Sequence, residues 1–194
     1  MEKYKPTEGK KTIVIIGGSQ GAMTINNAVI GMINDHMNKD DFNLIFAPGT
    51  KYFQQVVSKV INKLNNVMIH DYIYERNTIY AKADLMVIRG GAISISEILA
   101  MGKPAIVIPS PYVPDHAQEK NAQMIYNNGA CEIMYDNETL TSHALYEKIY
   151  SLLNNNQRLI EISKKAYSLG IRDANERVYK EFLEVSDEIN SVGK

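Results

Sequence analysis

Apolar positions along the chain follow two rhythms. Short unbroken runs at Thr12–Ile16 (TIVII), Phe42–Ala47, Asp84–Ile88 (DLMVI) and Ala105–Ile108 (AIVI) have no polar face. Such runs predict parallel strands buried on both sides. Val67–Ile69 and Ala130–Met134 read as two shorter strands. Between them the spacing becomes helical, at Ile25, Val29, Met32 and Ile33, then at Phe53, Val56, Val57, Val60, Ile61 and Leu64. A further helix follows the Asp71–Glu75 loop and runs to about Ala83, another buries Ile95, Ile98 and Leu99, and another is opened by Asp115–Ala122 and ends near Asn128-Gly129. Beyond residue 134 the pattern is helical only, with faces at Leu145, Ile149 and Leu152 and at Leu159, Ile162 and Ala166. A last helix starts at Asp173 and is expected to turn Val178, Phe182, Val185 and Ile189 inward. Alternating strands and helices predict an α/β fold, a Rossmann-like parallel sheet covered by helices. Residues 1–11 are polar and read as a lead-in, 12–190 as one domain and 191–194 as a tail.

Parallel sheets of this kind bind ligands beyond the carboxyl ends of their strands. Three loops fall there: Gly17–Ala22, Arg89–Ser94 and Pro109–Gln118. In the second, Arg89-Gly90-Gly91 joins a strand to a helix. Free N–H groups and the positive end of the helix dipole make such a start a ready anion site. Ser94 and Glu97 lie in the first turn, where a hydroxyl can meet a phosphate and a carboxylate can meet sugar hydroxyls. Ser94-x-x-Glu97 is equally a capping box, as is Asp115-x-x-Gln118, so Gln118 is either a cap or a ligand contact. The glycines of Gly17–Ala22 either admit a phosphate or serve a tight turn. They are spaced G-G-x-x-G, not G-x-G-x-x-G, and no acid ends the second strand, which speaks against a dinucleotide dehydrogenase. Gly21 is followed by Ala22 and Met23, so there is no Walker lysine either.

Composition narrows the function further. Lys and Arg number 21 and Asp and Glu 22 in 194 residues, a net charge of −1 that offers nothing to nucleic acid. Cys131 is the single cysteine, which rules out a disulfide framework and a cysteine zinc site. His36, His70, His116 and His143 lack ligand spacing, so no metal is expected. The start lacks the apolar core of a signal peptide, and no run approaches the roughly 18 apolar residues of a membrane span.

Three motifs, GGSQGA (Gly17–Ala22), RGGAISISE (Arg89–Glu97) and DHAQEKNA (Asp115–Ala122), together resemble the C-terminal half of the MurG family, glycosyltransferase family 28. The likeness runs from about Thr12 to about Val185. It implies one half of a GT-B fold, the donor-binding domain of an inverting N-acetylglucosaminyltransferase. Such an enzyme moves N-acetylglucosamine from UDP-N-acetylglucosamine to an undecaprenyl-linked acceptor, making the lipid-linked peptidoglycan precursor (lipid I to lipid II). By the same resemblance Ser19 and the Gly17-Gly18 backbone would meet the diphosphate, with Gln20, Arg89 and Gly91 as further substrate-binding positions. Ile73 would offer its backbone to uracil, and Ala92, Ile93 and Ser94 would lie along the phosphates and sugar. Glu97 would bind the ribose hydroxyls and Gln118 the hydroxyls of the transferred sugar.

The family implies no cofactor and no metal, and a cytoplasmic enzyme peripheral on the inner face of the cell membrane. The pattern departs from the family at Gly90, usually serine, and at Ala117, usually a polar residue. The family's N-terminal domain, which carries the acceptor site and the proposed base, has no counterpart here. An excised domain or a partner-dependent subunit, inactive alone, is the resulting expectation. A donor subunit of another lipid-linked sugar transferase and a non-catalytic nucleotide-binding module are the competing readings.

Overall fold

The computed structural model describes residues 6–18, 21–38 and 41–192, with side chains to Ser186. Six strands, β1 (Thr12–Ile16), β2 (Asn43–Ala47), β3 (Val67–Ile69), β4 (Leu85–Ile88), β5 (Ala105–Val107) and β6 (Glu132–Ile133), form one parallel sheet in the order β3-β2-β1-β4-β5-β6. The period-two alternation of a strand sorts their side chains between two apolar layers. Ile13, Ile15, Leu44, Phe46, Leu85, Val87, Ile106 and Ile108 enter one layer. Val14, Ile45, Ala47, Met86, Ile88, Ala105 and Val107 enter the other. Each large aliphatic side chain so buried contributes about 1.5–3 kcal/mol.

Helices α1 (Met23–Gly31), α6 (Ser142–Leu153) and the start of α7 (Asn156–Leu169) close the first layer. Helices α3 (Arg76–Lys82), α4 (Ala92–Met101) and α5 (Ala117–Asn127) close the second. Both faces of the sheet are therefore covered, as the unbroken apolar runs require.

Three expectations need correction. Helix α2 (Phe53–Lys59) ends before Val60 instead of continuing to Leu64. The Asn34 side chain stops it: its Nδ2 donates to the Lys59 carbonyl at 3.0 Å and its Oδ1 accepts from the Ile61 N–H at 2.9 Å. Asn34 sits on a π-helical turn, Met32–His36, that extends α1. Helix α8 (Ala174–Val192) takes in Ser191, placed above in a tail. Its Val178, Phe182 and Val185 are exposed, not inward; Ile189 lies outside the described side chains. Amphipathic spacing marks a face as apolar without naming what it faces. The two capping-box patterns at the rim, each open to a ligand contact instead, do not form.

The edge strand β6 is held by charge. Glu132 accepts from Lys148 Nζ at 2.7 Å and from Arg158 Nε at 3.0 Å and Nη2 at 2.7 Å, which ties the edge to α6 and α7. Burial alone would raise its carboxyl, but these hydrogen bonds prevail and hold it below its ordinary value of 4.5. A depressed carboxyl stabilises the fold fully above the unfolded value and progressively less as pH falls through the folded one. Thermal denaturation of Glu132→Gln should therefore show a lower Tm than the parent at pH 7, with the gap narrowing as the pH drops below about 4.5.

Candidate functional site

The strand order reverses between β1 and β4, so the connections leaving these neighbours diverge and open a crevice at their carboxyl ends. Gly17-Gly18 leaves β1 there, and Arg89-Gly90-Gly91 leaves β4. A Cβ placed on Gly18 would have Arg89 Cγ as its nearest neighbour, at 3.9 Å, so the two turns lie side by side. Ser19 and Gln20 fall outside the described residues.

The two readings of the glycine loop divide by residue. Gly21 has φ +73°, and a Cβ there would stand 2.5 Å from the Pro48 carbonyl oxygen and 2.5 Å from the Tyr52 ring. It serves packing of the first loop on the second. Asn26, 1% exposed, fastens the same contact by donating to the Pro48 carbonyl at 3.2 Å. Gly18, in contrast, borders open space on the crevice side.

Helix α4 starts at Gly91, whose backbone is extended and whose side chain cannot cap. The Ser94-x-x-Glu97 capping box does not form, because both residues lie inside the helix. The N–H groups of Ala92, Ile93 and Ser94 thus open the helix with no side-chain cap, and Ala92 and Ile93 are exposed. Helix α1 also starts without a side-chain cap, as does α5. By contrast Thr141 caps α6 at 3.1 Å and Asn155 caps α7 at 3.0 Å. Helices α2 and α3 likewise start without a cap, so each helix that follows β1 to β5 leaves its first N–H groups without a side-chain cap, and α1, α4 and α5 do so beside the crevice.

Arg89 points inward. Its Nη2 lies 2.7 Å from Asp136 Oδ2, its Nη1 donates to the Ile108 carbonyl at 3.1 Å, and the Asp136 side chain is 1% exposed. The guanidinium ties the β4 turn to the ends of β5 and β6, so Arg89 contributes to the crevice mainly by fixing its floor.

Glu97 faces Arg76 and Tyr80. Arg76 Nη1 donates to Oε1 at 2.8 Å and the Tyr80 hydroxyl donates to Oε2 at 3.2 Å. Burial first, and the Glu97 carboxylate next, push the Tyr80 hydroxyl well above its ordinary value, so it stays protonated. Ile73 is buried by its side chain, and its loop joins Gly18, Gly49, Asp71 and Arg76 around a narrow cleft of about 20 Å³. That is room for a single water.

At the third loop, Asp115 (φ 57°) and His116 (φ 51°) are both left-handed, and no side chain caps α5. The second rim capping box is thus also absent. Gln118 Oε1 instead accepts from the Ser110 N–H at 3.0 Å, and Asn121 Nδ2 donates to the Gly90 carbonyl at 3.2 Å. A Cβ on Gly90 would stand 2.5 Å from the Gln118 carbonyl oxygen, which accounts for glycine at this position. His116 is exposed and pairs with Glu119 at 3.1 Å.

Gly17, Gly18, Ile73, Arg89, Gly91, Ala92, Ile93, Ser94, Glu97 and Gln118 therefore gather on one rim. Sequence reasoning passed over Arg76, Tyr80, Asp136 and Ser110. Their partners lie 8 to 47 residues away in the chain, and no local spacing announces them. Among the described residues no group of three or more His, Cys, Asp and Glu side chains is gathered as a metal would need.

Residues 12–178 match the glycosyltransferase family 28 C-terminal domain. The chain belongs to this family. It is 40% identical over 181 residues to the UDP-N-acetylglucosamine–N-acetylmuramyl-(pentapeptide) pyrophosphoryl-undecaprenol N-acetylglucosamine transferase of Ruminiclostridium cellulolyticum, covering 92% of this chain and 49% of that protein. The transferase of the same name from Acetivibrio thermocellus is 40% identical over 169 residues, 87% of this chain and 46% of the relative. The chain thus spans about half the length of the relatives it matches. The crystal structure of Acinetobacter baumannii MurG superposes with a TM-score of 0.77 at 24% identity, covering 92% of this chain and 51% of that one. The fold is accordingly that of one half of a GT-B glycosyltransferase.

Two stability outcomes follow from this geometry. Arg89→Met leaves the Asp136 charge buried and should cost about 3–5 kcal/mol in chemical denaturation, much of it recovered in the Arg89→Met/Asp136→Asn double variant. Gly90→Ser should cost about 1–3 kcal/mol in the same assay because the Gln118 backbone must shift to admit Cβ.

Proposed function

We propose that this domain, residues 12–190, binds UDP-N-acetylglucosamine as the donor half of an inverting N-acetylglucosaminyltransferase that makes the lipid-linked peptidoglycan precursor. The observation that carries the reading is the uncapped start of α4 beside Gly17-Gly18 at the reversal of strand order. The 40% identity to transferases named for this donor adds to it.

On this reading the diphosphate lies against the Gly17-Gly18 backbone, with Ser19 and Gln20, and against the N–H groups of Gly91, Ala92, Ile93 and Ser94. Oriented peptide dipoles then stabilise the charge that develops on the departing UDP. The base meets the backbone of Ile73. Glu97 accepts from the ribose hydroxyls through the lone pairs that Arg76 and Tyr80 leave open. Gln118, its oxygen taken by Ser110, meets the transferred sugar by donating from Nε2. Arg89 holds the floor on which these groups stand. The acceptor, an undecaprenyl-linked saccharide, and the general base belong to the N-terminal half found in the longer relatives. The complete enzyme would work on the cytoplasmic face of the cell membrane. No helix among the described residues is long and apolar enough to cross a membrane.

Isothermal calorimetry with UDP and UDP-N-acetylglucosamine tests the reading. Saturable binding is expected, and none at millimolar nucleotide would overturn it. Glu97→Ala should weaken UDP binding by about 1–3 kcal/mol, the worth of hydrogen bonds to a charged group. Its Tm should fall modestly, because the buried Tyr80 hydroxyl loses its acceptor while the Arg76–Glu97 pair, about one-third exposed, contributes only about 0–1 kcal/mol.

A further inference from the structure

Arg76 joins two parts of the crevice that are otherwise separate. It lines the cleft shared by Gly18, Gly49, Asp71 and Ile73, and its Nη1 holds Glu97 Oε1 at 2.8 Å. From the other side the buried Tyr80 holds Oε2 at 3.2 Å. A carboxylate has about four lone-pair sites, so this arrangement occupies one site on each oxygen and leaves one on each. A side chain as long as glutamate otherwise samples several rotamers, and ordering it on binding costs entropy. Arg76 and Tyr80 impose that order beforehand. At the observed exposure the ion pair contributes little to stability, so stability alone does not explain why the two donors converge on one carboxylate.

We propose that Arg76 is a positioning residue that, with Tyr80, fixes Glu97 so that its two oxygens accept both hydroxyls of a nucleotide's ribose. The preference for ribose over deoxyribose then depends on Arg76, although the guanidinium does not itself touch the sugar. The inference rests on the donor-site reading above and goes beyond it by assigning the selectivity to a network of three side chains.

Calorimetric titration of the 194-residue chain with UDP and 2′-deoxy-UDP tests it. The parent should prefer UDP by about tenfold, the worth of one hydrogen bond to a charged group. Arg76→Met should reduce that preference to about twofold, leaving only the Tyr80 restraint, with the thermal midpoint nearly unchanged. Arg76→Lys, which can still reach Glu97, should restore part of it. If Arg76→Met proves unable to fold, Tyr80→Phe carries the same comparison, because it removes only the donor to Oε2. A full tenfold preference in Arg76→Met, or in Tyr80→Phe in its place, overturns the proposal and leaves the donor site standing. Absence of UDP binding to the parent overturns the donor site, and the proposal with it. Binding of UDP and 2′-deoxy-UDP with equal affinity by the parent overturns the proposal alone.

Discussion

Backbone N–H groups at the first turn of a helix must find acceptors, and how each helix here meets that demand orders the whole domain. Where Thr141 and Asn155 supply an oxygen, α6 and α7 begin as self-contained packing elements. Where α1 to α5 begin, no side chain does so. A parallel sheet forces these starts onto the edge where the strands end, and the reversal of order between β1 and β4 parts them into a crevice. Positive dipole ends therefore converge on one place, and the apolar layers on both faces hold them there.

The side-chain charges around that crevice are largely spent on the protein itself. Arg89 serves Asp136, and Arg76 serves Glu97. A largely shielded guanidinium beside a buried carboxylate is a poor source of net stability, yet losing either partner is costly, so the pair locks the geometry of the β4 turn. On the donor-site reading, a diphosphate would be met by fixed peptide dipoles that need no rearrangement. That is the kind of preorganisation that favours a charge developing during reaction.

The third loop carries backbone strain. A left-handed conformation costs a non-glycine residue about 1–2 kcal/mol, and Asp115 and His116 adopt it in succession. The surrounding contacts sustain it: Gln118 on Ser110, Asn121 on Gly90, and the bare Cα of Gly90 against the Gln118 carbonyl. Together they draw the start of α5 against the β4 turn and aim Gln118 along the rim. The glycine at position 90 and the twisted entry to α5 are thus two sides of one close approach.

Much of this was legible along the chain. Unbroken apolar runs identified the strands because a strand covered on both faces has no polar side to show. Helical spacing identified α1, α4, α6 and α7, and glycines after two strands marked the turns that border the crevice. These signals are local, each set by neighbours within one or two turns. The strand order, the partners of Glu97 and the inward turn of Arg89 depend on residues that meet only after the sheet is assembled, so no spacing encoded them. The same limit explains why Ser94 and Glu97 resembled a cap and why Val178, Phe182 and Val185 looked like core. Sequence specified which groups could pair, and folding chose among the partners by bringing some within reach and leaving others in solvent.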